Sequence, residues 1–182
     1  PSPAEYAGVI RTILGPLECL LMFEPGRLIV GNAGLLITSV VYIKEGVTRT
    51  FAIVDAAMND LVRPAMYGAY HEILPVKEPS PGTSRTPMDV VGPVCESGDT
   101  FAQQRPLPPL AAGDLLAIAS AGAYGAVMAS GYNARPLVPE VMVKGDRFAI
   151  VRRRPAFSEM MALESLADWQ KEGTSAHSPE TL

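Results

Sequence analysis

Cysteine and histidine are both scarce in this sequence, with two of each among 182 residues. There is no CxxC pair and no histidine cluster, so neither a disulfide framework nor a metal site is indicated. Positive charge is not in excess either: 15 Lys and Arg stand against 19 Asp and Glu, a formal net charge of −4. That balance lacks the electrostatic footprint of a nucleic-acid binder. The one cationic run, Arg152-Arg153-Arg154, closes an apolar stretch before Pro155 and reads as a solvated strand end. Long hydrophobic runs are also missing. Leu115 to Ala134 holds 20 residues without a charge, a membrane-spanning length. Gly122, Gly125, Gly131, Ser120, Ser130, Tyr124 and Asn133 interrupt it, so a buried strand, a small-residue turn and a short helix are expected instead. No secretory leader is visible. The first residue is proline, so the native start is expected to be absent, and the unpaired cysteines point to a reducing cytoplasm.

The composition, 48% hydrophobic and 19% charged, is that of a globular protein with one good core. Ser2-Pro3-Ala4-Glu5 is a capping box with proline in the first turn. Tyr6, Val9, Ile10, Ile13 and Leu14 then recur at helical spacing, and Gly15-Pro16 stops the helix. Leu17 to Phe23 reads as a strand buried on both faces, with Cys19 as one of its apolar residues. Helix, buried strand and functional loop make one step of a parallel barrel, whose chemistry lies after the strands. From Leu35 the pattern becomes β-rich. Strands are expected at Leu35 to Ile43, Thr48 to Asp55, Ile73 to Val76, Met88 to Val94, Asp114 to Ala119, Val138 to Val143 and Arg147 to Val151. Lys144-Gly145-Asp146 turns the last two. Glu78 to Pro87 and Arg105 to Pro109 read as loops, and Ser158 to Leu166 as a closing helix. The fold class is therefore mainly β. Residues 1–33 are the end of a barrel, 34–166 an antiparallel β-barrel or sandwich, and 167–182 a polar tail.

Four segments carry candidate chemistry. Glu24-Pro25-Gly26-Arg27 ends the first strand and opens a short helix, Leu28 to Asn32. Gly26 allows close backbone approach, and Arg27 offers a planar donor fork to an anion. The plain alternative is a turn with a surface arginine. Arg63 and Tyr67 follow the loop Asp55 to Asp60 and share a face if that piece is helical. They suit a carboxylate, or else Arg63 merely pairs with Asp60. His71, four residues on, reads as a structural hydrogen-bonder. Cys95-Glu96-Ser97-Gly98-Asp99 puts a thiol beside carboxylates. That setting suits proton donation better than nucleophilic attack, against the alternative of a buried structural cysteine. Tyr124, set among Ala121, Gly122, Ala123 and Gly125, can reach a ligand unobstructed or pack as an ordinary aromatic.

In order along the chain, several motifs resemble the C-terminal part of the diaminopimelate decarboxylases. They are Glu24 to Arg27, Met58-Asn59-Asp60 with Arg63 and Tyr67, Ala69-Tyr70-His71, Cys95 to Asp99, Gly122 to Gly125 and Tyr132 to Pro136. The match spans nearly the whole chain. This resemblance implies an alanine racemase-like fold, a pyridoxal 5'-phosphate cofactor and a small amino-acid substrate. It implies that Glu24, Pro25, Gly26 and Tyr124 hold the cofactor, with Gly26 and its neighbours on the phosphate. It further implies that Arg27, Arg63 and Tyr67 bind the distal end of the substrate, with Arg27 also beside the cofactor. Cys95 is then the proton donor, Glu96 a substrate contact, and Tyr124 touches both cofactor and substrate. The family works as a homodimer in which Cys95 and Glu96 reach into the partner's barrel. No nucleic acid or membrane partner is implied.

Two further readings stay open. A related decarboxylase acting on ornithine, arginine or carboxynorspermidine would resemble this chain, but those relatives usually carry Asp where Glu96 stands. A non-catalytic β domain that binds a partner would explain one departure: the cofactor lysine of the family lies earlier in the barrel than Pro1. Lys44, Lys77, Lys144 and Lys171 do not follow a buried barrel strand, so the chain alone is expected neither to link the cofactor nor to turn over substrate.

Overall fold

The computed structural model describes residues 2–17 and 19–171. Expectations for Pro1, Glu18 and the tail from 172 onward lie outside the described residues. The amino-terminal helix α1 spans Pro3–Leu14. Its capping box forms as read: Ser2 Oγ accepts from the Glu5 N–H at 3.2 Å, and Glu5 accepts from the Ser2 N–H at 2.6 Å. The short helix α2, Gly26–Val30, comes later and runs directly into a single 3-10 turn, Gly31–Ala33.

Six strands form one sheet: β1 Leu36–Glu45, β2 Thr50–Val54, β3 Ile73–Pro75, β4 Thr86–Val91, β5 Thr100–Leu107 and β6 Leu115–Ile118. Their order is β3-β6-β1-β2-β4-β5. Every pairing is antiparallel except β2 with β4, which run parallel through Ala52↔Val90. Strand β1 serves two neighbours. Leu36 to Ser39 pair with β6, and from Val40 to Glu45 the strand pairs with β2, with an irregularity between Val40 and Tyr42. A bulge bends a strand and sharpens its twist, so the sheet curls and one face closes on itself. Val40, Val54, Ile73, Val90, Leu107, Leu116 and Ile118 meet inside, each at most 1% exposed. They come from all six strands, which makes this curl the single core. A separate hairpin, β7 Glu140–Lys144 and β8 Arg147–Arg152, turns at Gly145 with φ +62°. The other α-helices among the described residues are α3 Arg63–Tyr67, α4 Phe157–Met161 and α5 Asp168–Lys171.

Four expectations need correction. Leu17 to Phe23 is not a strand. Its described residues lie exposed, with Leu20 at 88% and Met22 at 86%. A strand of this kind is stable only between neighbours, and no described strand pairs with it. Cys19 is accordingly exposed. The expected loop from Arg105 is the end of β5, where Pro106 faces Pro87 of β4. Both prolines are tolerated because β5 is an edge strand and β2 covers only Asp89 to Val91 of β4. Strand β4 stops at Val91, so Cys95 sits in a loop and not at a strand end. The closing helix ends at Met161.

Within the membrane-length stretch, Leu115–Ile118 is strand, and Ala126–Met128 and Tyr132–Ala134 are 3-10 turns. Among the described residues no helix is long and apolar enough to cross a membrane. The arginine run ends β8, with Arg152 paired to Glu140 and Arg153 to Glu159.

Candidate active site

Strand β2 ends at Val54, and the following loop is tied down amide by amide. The N–H of Ala56 donates to Thr38 Oγ1 at 2.9 Å, that of Ala57 to Asp60 Oδ2 at 2.9 Å, and that of Met58 to Asp99 Oδ1 at 2.6 Å. Each acceptor comes from a different part of the chain. Asp60 is buried and takes a second partner, Arg135 Nη2 at 3.4 Å, which also donates to the Asp55 carbonyl at 2.6 Å. Asp60 therefore does not pair with Arg63, and the plain reading of Arg63 falls away. Buried backbone donors left unpaired are costly, so this loop launches α3 in one fixed direction. Arg63 opens α3 and Tyr67 closes it, followed by Gly68 in the left-handed region at φ +60°.

Arg63 faces an open cleft of about 480 Å³ whose lining includes Pro25, Arg27, Tyr70, His71 and Ser120. Neither guanidinium makes a side-chain hydrogen bond or ion pair with another described residue, so two positive forks are available to an anion. His71 is 1% exposed. Its Nδ1 lies 2.8 Å from the Ala119 carbonyl, and its Nε2 has no partner. A carbonyl can only accept, so Nδ1 carries a hydrogen, and Nε2 is left facing the cleft side without a partner. The structural role read for His71 is present, and the unpartnered nitrogen beside the cleft is additional. The segment that carries this histidine is clamped by Arg105, which donates to the His71 carbonyl at 3.0 Å and lies 4.2 Å from the Tyr70 ring centre.

The segment of Tyr124 is sewn to the segment of Arg27. The N–H of Ala121 donates to the Gly34 carbonyl at 2.9 Å and that of Gly122 to the Gly31 carbonyl at 3.0 Å. Ser120 Oγ donates to Asn32 Oδ1 at 2.7 Å. Tyr124 itself is half-exposed and sits at φ +57°, a backbone region that a tyrosine seldom adopts. Such strain persists only where surrounding contacts enforce it.

Cys95 and Glu96 do not line the cleft of Arg27 and Arg63. Glu96 lines a second, smaller cleft of about 260 Å³ with Met58, Val62 and Ser130. Cys95 is an exposed free thiol with Asn133 Nδ2 3.9 Å from its sulfur. Their loop is held by buried Asp99, which accepts the Val94 N–H at 2.8 Å as well as that of Met58. Burial pushes the Asp99 carboxyl up from its ordinary value, opposed by those two N–H donors.

The description "Pyridoxal-dependent decarboxylase, C-terminal sheet domain" is that of a family model matching residues 21–122. This chain belongs to that family. Within it, the chain is 50% identical over 169 residues to diaminopimelate decarboxylase of Zymomonas mobilis, covering 93% of this chain and 39% of the relative. A diaminopimelate decarboxylase of Vibrio cholerae is 49% identical, covering 91% and 39%. The crystal structure of diaminopimelate decarboxylase from Helicobacter pylori complexed with L-lysine superposes at a TM-score of 0.75 with 41% identity, over 95% of this chain and 41% of that one. The enzyme of M. jannaschii in co-complex with L-lysine gives 0.77 and 35%, over 88% and 37%. The chain thus spans about two fifths of the length of the curated relatives it matches.

For a pyridoxal-dependent decarboxylase domain, the residues divide clearly. An acidic group, such as a cofactor phosphate, would find matching donors here. Among the described residues Arg27 and Arg63 are unpaired donors on one cleft, and beyond its chain neighbours and its own helix nothing lies within 4 Å of where a Cβ on Gly26 would stand. The cofactor aldehyde is not matched, because among the described residues no lysine lines this cleft. Pro25, Arg27 and Arg63 come together in it. Glu24 and Gly26 flank Pro25 at the start of α2, Tyr67 lies one helical turn beyond Arg63, and Tyr124 is joined through Gly122 to the α2 segment. Cys95 and Glu96 do not line the arginine cleft of their own chain. Sequence reading missed Asn32 and Ser120, whose contact across 88 residues leaves no local signal. It also undervalued His71, for which a histidine followed by a strand was the only hint. Among the described residues no group of three or more His, Cys, Asp or Glu could hold a metal.

Proposed function

We propose that this chain supplies the substrate-gripping part of a cytoplasmic enzyme that decarboxylates meso-diaminopimelate to L-lysine with pyridoxal 5'-phosphate. The observation that carries the proposal is the pair of unpartnered guanidinium groups, Arg27 and Arg63, on one cleft. Two forks side by side suit a substrate with a second carboxylate. Diaminopimelate differs from lysine by that group, so its recognition sets specificity. Glu96 in place of the Asp usual in relatives that act on ornithine, arginine or carboxylated polyamines supports the same substrate.

When bound, the cofactor supplies the electron sink for loss of carbon dioxide. The chain's own residues do the rest. Gly26, with Glu24 and Pro25 beside it, holds the cofactor phosphate, and Tyr124 borders cofactor and substrate. Arg27, Arg63 and Tyr67 fix the distal carboxylate, while Glu96 takes the distal ammonium. Once the C–CO₂ bond breaks and its electron pair stays on the α-carbon, the Cys95 thiol delivers a proton to that carbon and is reprotonated from water. Cys95 and Glu96 do not line the arginine cleft of their own chain, which supports a homodimer in which they complete the partner's site. The free, exposed thiols suit a reducing compartment.

A titration of the isotope-labelled chain tests the grip. Meso-diaminopimelate should shift the side-chain N–H signals of Arg27 and Arg63, and L-lysine should bind at least about tenfold more weakly for want of one charge-assisted pair. Equal binding would remove the substrate assignment. In an enzyme that joins this chain to a cofactor-binding barrel, Cys95→Ala should slow lysine formation by about 100-fold.

A further inference from the structure

Asp99 is 3% exposed, yet its carboxylate joins two loops that bear different working groups. One oxygen accepts the Met58 N–H at 2.6 Å and the other accepts the Val94 N–H at 2.8 Å. Its backbone closes the same loop, since its N–H donates to the Glu96 carbonyl at 3.0 Å and its carbonyl accepts from Gly92 at 2.9 Å. Val94 precedes Cys95 and Glu96. Met58 begins the turn that launches α3 with Arg63 and Tyr67. A Cβ on Gly92 would stand 2.3 Å from Asp99 Oδ2, so glycine is required where the carboxylate lodges.

We propose that Asp99 is a positioning residue, a two-ended clasp that sets Cys95 and Glu96 in register with the arm carrying Arg63 and Tyr67. The proposal rests on the reading of those four residues as working groups. Asp99 touches no substrate in it and acts through two backbone N–H groups. One acceptor oxygen for each loop means that neither can move without the other. Neutralising the side chain to an amide keeps its shape but turns one acceptor into a donor facing an N–H, and one end of the clasp opens. The contact between Asn133 and the Cys95 sulfur depends on where this loop lies, so the thiol reports the loop's position.

The test uses Cys95 as the single thiol, in a Cys19→Ser background. Asp99→Asn is expected to speed amide hydrogen exchange at Met58 and Val94 together by about tenfold or more while the β5 amides stay protected. It should also change the rate of Cys95 alkylation by iodoacetamide by about threefold and displace its pH–rate profile. A carboxylate with a merely structural role would lower the melting temperature and leave that profile where it was. Gly92→Ala forms the second arm. It displaces the carboxylate without altering its charge and should reproduce both changes. A folded variant with parental exchange at either amide, or with a parental alkylation profile, overturns the proposal, and so does failure of both variants to fold. Neither readout involves substrate or cofactor. A negative result therefore leaves the decarboxylase reading intact, and loss of the decarboxylase reading would not by itself alter these rates.

Discussion

Gly122 lies so close to the backbone of Val30 that a Cβ added to it would stand 2.0 Å from the Val30 carbonyl oxygen. That approach joins the segment of Tyr124 to the segment of Arg27, though 92 positions separate the two contacting residues. Gly34 is its counterpart, where a Cβ would meet the Gly122 Cα at 2.6 Å.

Gly122→Ala should therefore push these segments apart. The obstacles are backbone atoms, which cannot rotate away, so a loss on the order of 2 kcal/mol is expected. Urea denaturation of parent and variant checks this. An unchanged midpoint would mean that the two segments do not hold each other. Gly26→Ala, with nothing beyond its chain neighbours and its own helix within 4 Å of the added carbon, should cost far less and serves as the control.

The core predicts its own response. Ile118 is fully buried on β6 between β1 and β3. Ile118→Ala removes three methyl or methylene groups from a close-packed interior and should lower stability by about 3 kcal/mol. Thermal unfolding followed by circular dichroism measures it. Ile37→Ala on the solvent side of β1 should change stability by less than about 0.5 kcal/mol.

Acid should expose the role of Asp89. Burial raises its carboxyl, but the Gln104 N–H and side chain and the Arg49 guanidinium outweigh that and leave it below its ordinary value of 3.8. A carboxyl depressed in the folded state adds stability above its unfolded value and loses it as pH falls through the folded one. The gap in stability between parent and Asp89→Asn should thus be full near pH 6 and close as pH drops from about 5 to about 3. Denaturant midpoints measured across that range decide it, and a gap that widens in acid would contradict the assignment. Arg49 is half-exposed, so its share should shrink with added salt.

The isolated chain should hold no cofactor covalently. Among the described residues no lysine lines the arginine cleft. After incubation with pyridoxal 5'-phosphate and borohydride, mass spectrometry of the digested protein should find no stoichiometric pyridoxyl-lysine, and diaminopimelate should be unchanged. A single fully labelled lysine with lysine production would refute this.

Much was legible from short-range signals. The capping box at Ser2 and Glu5, the stop at Gly15, the turn at Gly145 and the alternation in β2 involve residues a few positions apart. Their physics is carried by local dihedral preference and one hydrogen bond or two, so the sequence alone determines them, together with the mainly β character that follows. The order of the motifs around Arg27, Arg63, Cys95 and Tyr124 was equally plain. What the tertiary structure decided is where distant groups meet. Leu17 to Phe23 has the composition of a strand, yet its described residues lie exposed, because a strand exists only with a neighbour to pair with. Asp60 chose Arg135 over the nearer Arg63 because Arg135 also reaches the Asp55 carbonyl. The close approach of Gly122 to Val30 and the bond from Asp99 to Met58 join residues dozens of positions apart. No local preference encodes such a meeting; it exists only once burial of the curled sheet has closed the chain on itself.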